Sequence, residues 1–282
     1  MQFTPQTALS PSFLRAGVPM VRRVPIAEWM LGLFFLCGNS FCLEAATPQA
    51  NAPQIPSDAQ ALEQRADLHM VRKEYADAAS LYRRLTQLQP QNAAYQNKVG
   101  IAYHLLQDLD EAKKFYRRAL QLNPKYGQAI NNLASIEYAQ KNYRSAILSY
   151  LKALELTPND AVIYSNLGTA YFSYEKYDYA MTSYRYALLL DPKIFQESGR
   201  VGTMVQQRNA ENVAAFNFYL AKTYADLGKV EETLLYLQKA WEEGFPDLRK
   251  ELEDKVFAFL ANETRFQDLL AQWEASEKEK TN

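Results

Sequence analysis

Residues 115–124 read FYRRALQLNP, and nearly the same phrase returns as SYLKALELTP at 149–158 and SYRYALLLDP at 183–192. Working outward, prolines stand at 56, 90, 124, 158 and 192, a constant step of 34 residues. The same step links Ala78, Ala112, Ala146 and Ala180, then Tyr82, Tyr116, Tyr150 and Tyr184, then Leu88, Leu122, Leu156 and Leu190. Several columns recurring at one spacing of this size mark a repeat architecture. Within the phrase, Ala112, Tyr116, Ala119 and Leu122 fall at steps of three and four, which puts them on one face of a helix. Alanine on that face admits a neighbouring helix closely, and tyrosine fills the space that remains. Proline then closes the unit, because it cannot continue a helix.

A second helix precedes this one in each unit, written VGIAY at 99–103, LASIEY at 133–138 and LGTAY at 167–171. A glycine inside a helix costs about 1 kcal/mol against alanine, so the return of Gly100 and Gly168 implies a place where two helices touch. Gly-x-x-Tyr in the first helix, Ala and Tyr in the second and a closing Asn-Pro or Asp-Pro together resemble the tetratricopeptide repeat. The resemblance implies an all-α fold, with helix-turn-helix units stacked in a right-handed superhelix (an α-solenoid). Four units match, at 59–92, 93–126, 127–160 and 161–194. The first departs most, with Arg65 where an apolar residue is usual and His69 in a tyrosine column, as terminal repeats often do.

After Pro192 the period breaks over an inserted loop, 195–213, and resumes in a degenerate fifth unit, 214–247, with Ala221, Tyr224, Gly228 and Ala240. Residues 248–282 carry Leu252, Val256, Phe259 and Leu260, then Phe266, Leu269, Leu270 and Trp273, at helical spacing. They are expected to form two capping helices and a charged tail that cover the last repeat face.

The amino terminus differs in character. Arg22 and Arg23 precede an apolar stretch from Trp29 to Leu43 and then small residues, the order of a secretory signal peptide. The stretch is shorter than the roughly 20 residues of a membrane-spanning helix. Residues 1–46 therefore read as an extension and signal, with Met20 a possible true start, and 47–58 as a flexible leader. Export, to a periplasmic location, is the expectation; retention of the segment would instead anchor the chain at the membrane. Both cysteines, Cys37 and Cys42, fall in this segment, so a processed chain would have no disulfide and no thiol chemistry.

Thirty-one basic residues against 32 acidic ones leave a formal charge of -1, which gives no global reason to expect nucleic acid as a partner. Arg83, Arg117 and Arg185 share one repeat position and Arg84, Arg118 and Lys152 the next, and together they read as a solvated stripe. Only two histidines occur, His69 and His104, and the sequence shows no phosphate-binding loop, no Gly-x-Ser-x-Gly and no HExxH. No catalytic residue, metal site or cofactor is expected, and the reading is of a chain that is not an enzyme.

Function is sought instead on the first helices, which in tetratricopeptide arrays line the concave face. Carried over from that resemblance, the ligand positions fall on Asn97, Ile101, His104 and Leu105, on Asn131, Asn132, Ser135 and Tyr138, and on Ser165, Asn166, Thr169 and Phe172. The set is uncharged. Asn132 and Asn166 could serve the backbone of an extended peptide, with His104, Tyr138 and Phe172 supplying flat area, or the asparagines could satisfy neighbouring helices. The carboxylate clamp of chaperone-binding members is disfavoured, because Glu63 and Asp67 stand where that clamp needs lysine and asparagine. The resemblance thus implies a scaffold for a protein or peptide partner, alone or as a membrane-held subunit of an envelope assembly or secretion complex.

Overall fold

Pro90, Pro124, Pro158 and Pro192 each follow the residue that caps the end of a helix. The computed structural model describes residues 57–196 and 212–281, which belong to one compact unit, Pro53–Asn282. The expected signal, most of the leader and the middle of the inserted loop lie outside the described residues. Among the described residues every regular element is a helix. Four pairs come first: α1 (Ser57–Val71) with α2 (Tyr75–Leu88), α3 (Ala93–Leu105) with α4 (Leu109–Leu122), α5 (Gly127–Ala139) with α6 (Tyr143–Leu156), and α7 (Ala161–Ser173) with α8 (Tyr177–Leu190). A fifth pair, α9 (Val213–Asp226) and α10 (Val230–Glu242), follows, and the chain ends in α11 (Leu248–Glu251), a 3-10 segment (Lys255–Leu260) and α12 (Thr264–Thr281). Ser57 and Asp58, assigned by sequence to the leader, open α1.

Inside each pair the turn is made by one residue in the left-handed region: Lys73 (φ 62°), Gln107 (φ 63°), Lys141 (φ 62°), Glu175 (φ 57°) and Gly228 (φ 66°). The turn lets the next amide reach back, as from Glu74 to the His69 carbonyl at 2.9 Å and from Lys176 to the Tyr171 carbonyl at 2.9 Å, which satisfies carbonyls that a helix end leaves open. Between pairs, the polar residue before each first helix caps it where it can: Asn92 accepts from the Ala94 amide at 3.0 Å and Asp160 from the Val162 amide at 2.9 Å.

The alanine and tyrosine columns form the core. Ala78, Ala112, Ala146 and Ala180 are fully buried, and Tyr82, Tyr116, Tyr150 and Tyr184 nearly so. The Tyr116 ring lies so close to α3 that a Cβ built on Gly100 would meet its Cε1 at 2.5 Å; on Gly168 a Cβ would meet the Tyr184 Cδ1 at 2.5 Å. The two glycines therefore mark where the tyrosine of the second helix enters the first. The pairs stack into an all-α superhelix in which α3, α5 and α7 touch one another along the inner, concave side.

The carboxyl end is less regular than two capping helices. Leu248 and Leu260 are buried, but Phe259, on the expected apolar face, is exposed, because residues 248–260 form a single helical turn and a 3-10 segment that puts Phe257 inward instead. The Phe257 ring lies 6.1 Å from that of Phe218, and the Lys222 ammonium meets the Asp254 carboxylate at 2.7 Å, fixing this segment to α9. Beyond it α12 docks through Trp273, stacked on Trp241 at 4.9 Å with its Nε1 donating to Gln238 at 3.0 Å. Phe195, read from sequence as the start of the loop, is buried edge-on to Tyr184 at 5.4 Å, and its carbonyl accepts from the Tyr236 hydroxyl at 3.1 Å.

Candidate functional site on the concave face

A ladder of polar pairs runs along the inner face, each joining one first helix to the next. Lys98 donates to Glu63 at 2.7 Å and to Asp67 at 2.9 Å; Asn132 donates to Asn97 at 2.9 Å; Asn166 donates to Asn131 at 3.0 Å. Glu63–Lys98, Asn97–Asn132 and Asn131–Asn166 are all separated by 35 residues, one more than the repeat, because each fifth residue meets the sixth residue of the following unit. Asn131 also donates to Asn132 at 3.2 Å, and the Tyr126 hydroxyl donates to Gln128 at 3.2 Å. The amides thus form one relay from α7 through α5 to α3, and the rung before it, Glu63–Lys98, is ionic. The relay ends at Ser165 Oγ and Asn166 Oδ1, two buried atoms with no hydrogen-bond partner among the described residues.

The core tyrosines add a second polar layer beneath it. Tyr82 donates to Asp67 at 2.5 Å, Tyr150 to Ser135 at 3.0 Å and Tyr184 to Thr169 at 3.4 Å, all acceptors in one repeat column. In the second unit that column holds Ile101, which accepts nothing, and the Tyr116 hydroxyl turns to His104 Nδ1 at 3.4 Å. His104 is 8% exposed, and its Nε2 has no partner among the described residues. Burial lowers its pKa from 6.5 to about 4, so the ring is neutral at pH 7. At the next repeat position Tyr138 pairs with Ser173 at 2.9 Å.

These side chains enclose a concavity of about 250 Å³, lined by Asn97, Ile101, His104, Tyr116, Gln128, Asn131, Asn132, Ser135, Asp160 and Val162. Its only charged lining residue is Asp160, already bonded to the Val162 and Ile163 amides at 2.9 and 3.2 Å.

Of the residues expected to meet a ligand, Ile101 and Asn132 are half-buried and line the concavity, while Leu105 is half-buried and is not among its lining residues. Asn97, His104, Asn131 and Ser135 are buried but line the concavity. Ser165, Asn166 and Thr169 are 0 or 1% exposed and are taken up inside the stack, Asn166 by Asn131 and Thr169 by Tyr184 and the Ser165 carbonyl. Tyr138 and Phe172 do not present flat faces to a groove. Tyr138 packs on Tyr143 at 5.4 Å, and Phe172 lies among Tyr177, Phe216 and Tyr219. Gln128, Asp160 and Val162 line the space as well, beyond the residues named from sequence; Gln128 and Val162 are the second residues of their units, and Asp160 caps α7.

Elsewhere, Arg83, Arg84, Arg117, Arg118, Lys152 and Arg185 are exposed, and Arg185 pairs with Asp226 at 3.2 Å. His69 and His104 stand apart in their contacts: His69 Nδ1 meets Glu74 at 2.6 Å, and among the described residues its close ligand-type neighbours are Glu74 and Asp77. No helix among the described residues is long and apolar enough to cross a membrane.

A stack of helix pairs, each with a tyrosine entering its partner and a polar inner face, defines a helical-repeat solenoid. Family models agree on its kind: residues 42–93 and 63–127 match a model described as tetratricopeptide repeat, and 134–173 match one described as TPR repeat. The chain is a tetratricopeptide repeat protein. Among curated proteins none matches it. Similar solved structures include TTC0263 of Thermus thermophilus, a thermophilic TPR protein (18% identity, covering 68% of this chain and 96% of that one, TM-score 0.48). Others are MamA (20%, 63% and 93%, TM-score 0.42) and the TPR domain of Sgt2 from Aspergillus fumigatus (24%, 43% and 82%, TM-score 0.40).

Proposed function

We propose that this chain is a non-catalytic scaffold that holds an extended segment of a protein partner against the inner face of α3, α5 and α7. The observation that carries the reading is the concavity of about 250 Å³ on that face, framed by amides and by the accessible Ile101 and Asn132, whose one charged lining residue, Asp160, is engaged by the Val162 and Ile163 amides. Such a surface suits a peptide backbone, whose groups need neutral donors and acceptors, better than a phosphate or an acidic tail. Between the first and second repeats, Lys98 is already held by Glu63 and Asp67, so its charge is neutralised in place. A photo-crosslinker at Asn132 or Ile101 is expected to capture a partner that the same group at Arg118 on the outer surface does not. Equal capture from both positions would sink the groove reading.

The order of basic, apolar and small residues before 47 supports an exported scaffold, with a periplasmic location. A membrane-held subunit of an envelope assembly or secretion complex is favoured instead if Trp29–Leu43 is retained. Sequencing the amino terminus of the isolated protein separates the two: a start near residue 47 fits the free scaffold, and an intact segment in the membrane fraction contradicts it.

A further inference from the structure

We propose that a hollow between α2 and the end of α3 takes an oxyanion, a carboxylate or a phosphate monoester, on the paired guanidinium groups of Arg83 and Arg84. The hollow shares no lining residue with the concavity of the inner face and so stands apart from the groove reading.

Ser80, Arg83, Arg84 and Gln87 lie on one face of α2, and with Tyr103 and Leu106 at the end of α3 they line a space of about 330 Å³. All four side chains from α2 are exposed, so a ligand reaches them from solvent. Each polar group there is a donor: two guanidiniums, a hydroxyl, a carboxamide and the Tyr103 phenol. No carboxylate lines the space. Arg83 gives one N–H to the Tyr103 oxygen at 3.4 Å, which leaves the tyrosine its own proton to donate, and the ring is held by stacking on Phe115 at 5.6 Å. Neither arginine has an ion pair among the described residues.

The same column three repeats on shows the alternative. Arg185 stands where Arg83 does, and the hollow of about 260 Å³ beside it is lined by Asp178 and Asp226 together with Lys222. There Arg185 pairs with Asp226 at 3.2 Å, and Lys222 with Asp254 at 2.7 Å. The chain thus supplies its own carboxylate to Arg185 and none to Arg83. Two like charges on one hollow raise each other's energy, and an arriving oxyanion relieves both. The planar fork of arginine matches the paired oxygens of a carboxylate or a phosphate, which a neutral amide lacks.

The test is a titration of the whole protein at constant ionic strength, followed by the arginine Nε–H resonances in NMR, with Arg83→Gln and Arg84→Gln to assign them. Sodium propionate stands for a side-chain carboxylate and methyl phosphate for a monoester, and the stronger response names the source. A saturable shift of Arg83 and Arg84 is expected with one or both anions and none with propionamide. Each single variant, read on the arginine that remains, is expected to weaken binding about fivefold, the upper end for an exposed ion pair. Arg117→Gln, one repeat on in the column of Arg83, is expected to leave binding unchanged. No saturable shift with either anion, an equal response to propionamide, or a loss in Arg117→Gln as large as in Arg83→Gln would each overturn the assignment. Crosslinking at Asn132 and Ile101 reads groove binding separately.

Discussion

Gly168→Ala sets two effects of opposite sign against each other. In a helix interior, alanine is favoured over glycine by about 1 kcal/mol, so propensity alone predicts a more stable protein. The added Cβ, however, would stand 2.5 Å from the Tyr184 Cδ1, with Cε1 closer still and the Ala180 carbonyl at 3.2 Å. The ring has little room to retreat: Tyr184 is 0% exposed, with Phe195 edge-on at 5.4 Å and Phe216 at 5.7 Å. Overpacking of a closed core costs roughly 1–3 kcal/mol. At this site the upper half of that range applies, leaving a net destabilisation of about 1–2 kcal/mol after the propensity gain. The repeats that carry alanine at this position show the relaxed arrangement. Opposite Ala66 and Ala134, the Tyr82 and Tyr150 hydroxyls bond their acceptors at 2.5 and 3.0 Å; opposite Gly100 and Gly168, Tyr116 and Tyr184 do so at 3.4 Å. Tyr116 lacks the two phenylalanine neighbours, so Gly100→Ala is expected to cost less than Gly168→Ala. Denaturant unfolding of the two variants beside the parent, followed by circular dichroism, measures both. A Gly168→Ala protein more stable than the parent by about 1 kcal/mol would refute the reasoning, because propensity would then outweigh the tyrosine contact.

Two further outcomes follow from the packing and from the charge state. Trp273→Ala removes the stack on Trp241 and a buried indole, at a cost of about 3–5 kcal/mol felt first at the end of the solenoid. Hydrogen exchange is expected to quicken in α10 and α12 while α3 to α6 stay protected; uniform loss of protection would contradict a local cap. For His104, the folded pKa near 4 lies below the unfolded value of 6.5. The unfolded chain therefore binds the proton first, and stability is lost as pH falls from about 6.5 to 4, by up to about 3 kcal/mol. His104→Gln is expected to flatten that part of the stability–pH curve, as read by the difference from the parent; parallel curves would show that the imidazole is not buried neutral.

Much of this architecture is written in one 34-residue period. The alanine, tyrosine and proline columns give the helix pairs, and Gly100 and Gly168 give the contact between them, because each of these residues acts inside its own unit. What acts between units is harder to see. The rungs Asn97–Asn132 and Asn131–Asn166 couple residues 35 apart, so a search at the repeat spacing passes over them. The left-handed turns at Lys73, Gln107, Lys141 and Glu175 are hidden because no glycine marks them. Tyr138 and Phe172 looked available on the inner face by position, yet the stack covers both with neighbouring aromatic rings. The lining by Asp160 is hidden because that residue closes one unit and caps the first helix of the next.

The central claim is that a partner lies on the inner face of α3, α5 and α7. Its most direct test is to place a photo-crosslinkable residue in turn at Ile101, Asn132 and Arg118 in the whole protein, and to map the crosslinked peptide by mass spectrometry. The account predicts one partner segment joined to Ile101 and Asn132, and none to Arg118. The same segment recovered at Arg118, or different segments at Ile101 and Asn132, would contradict it.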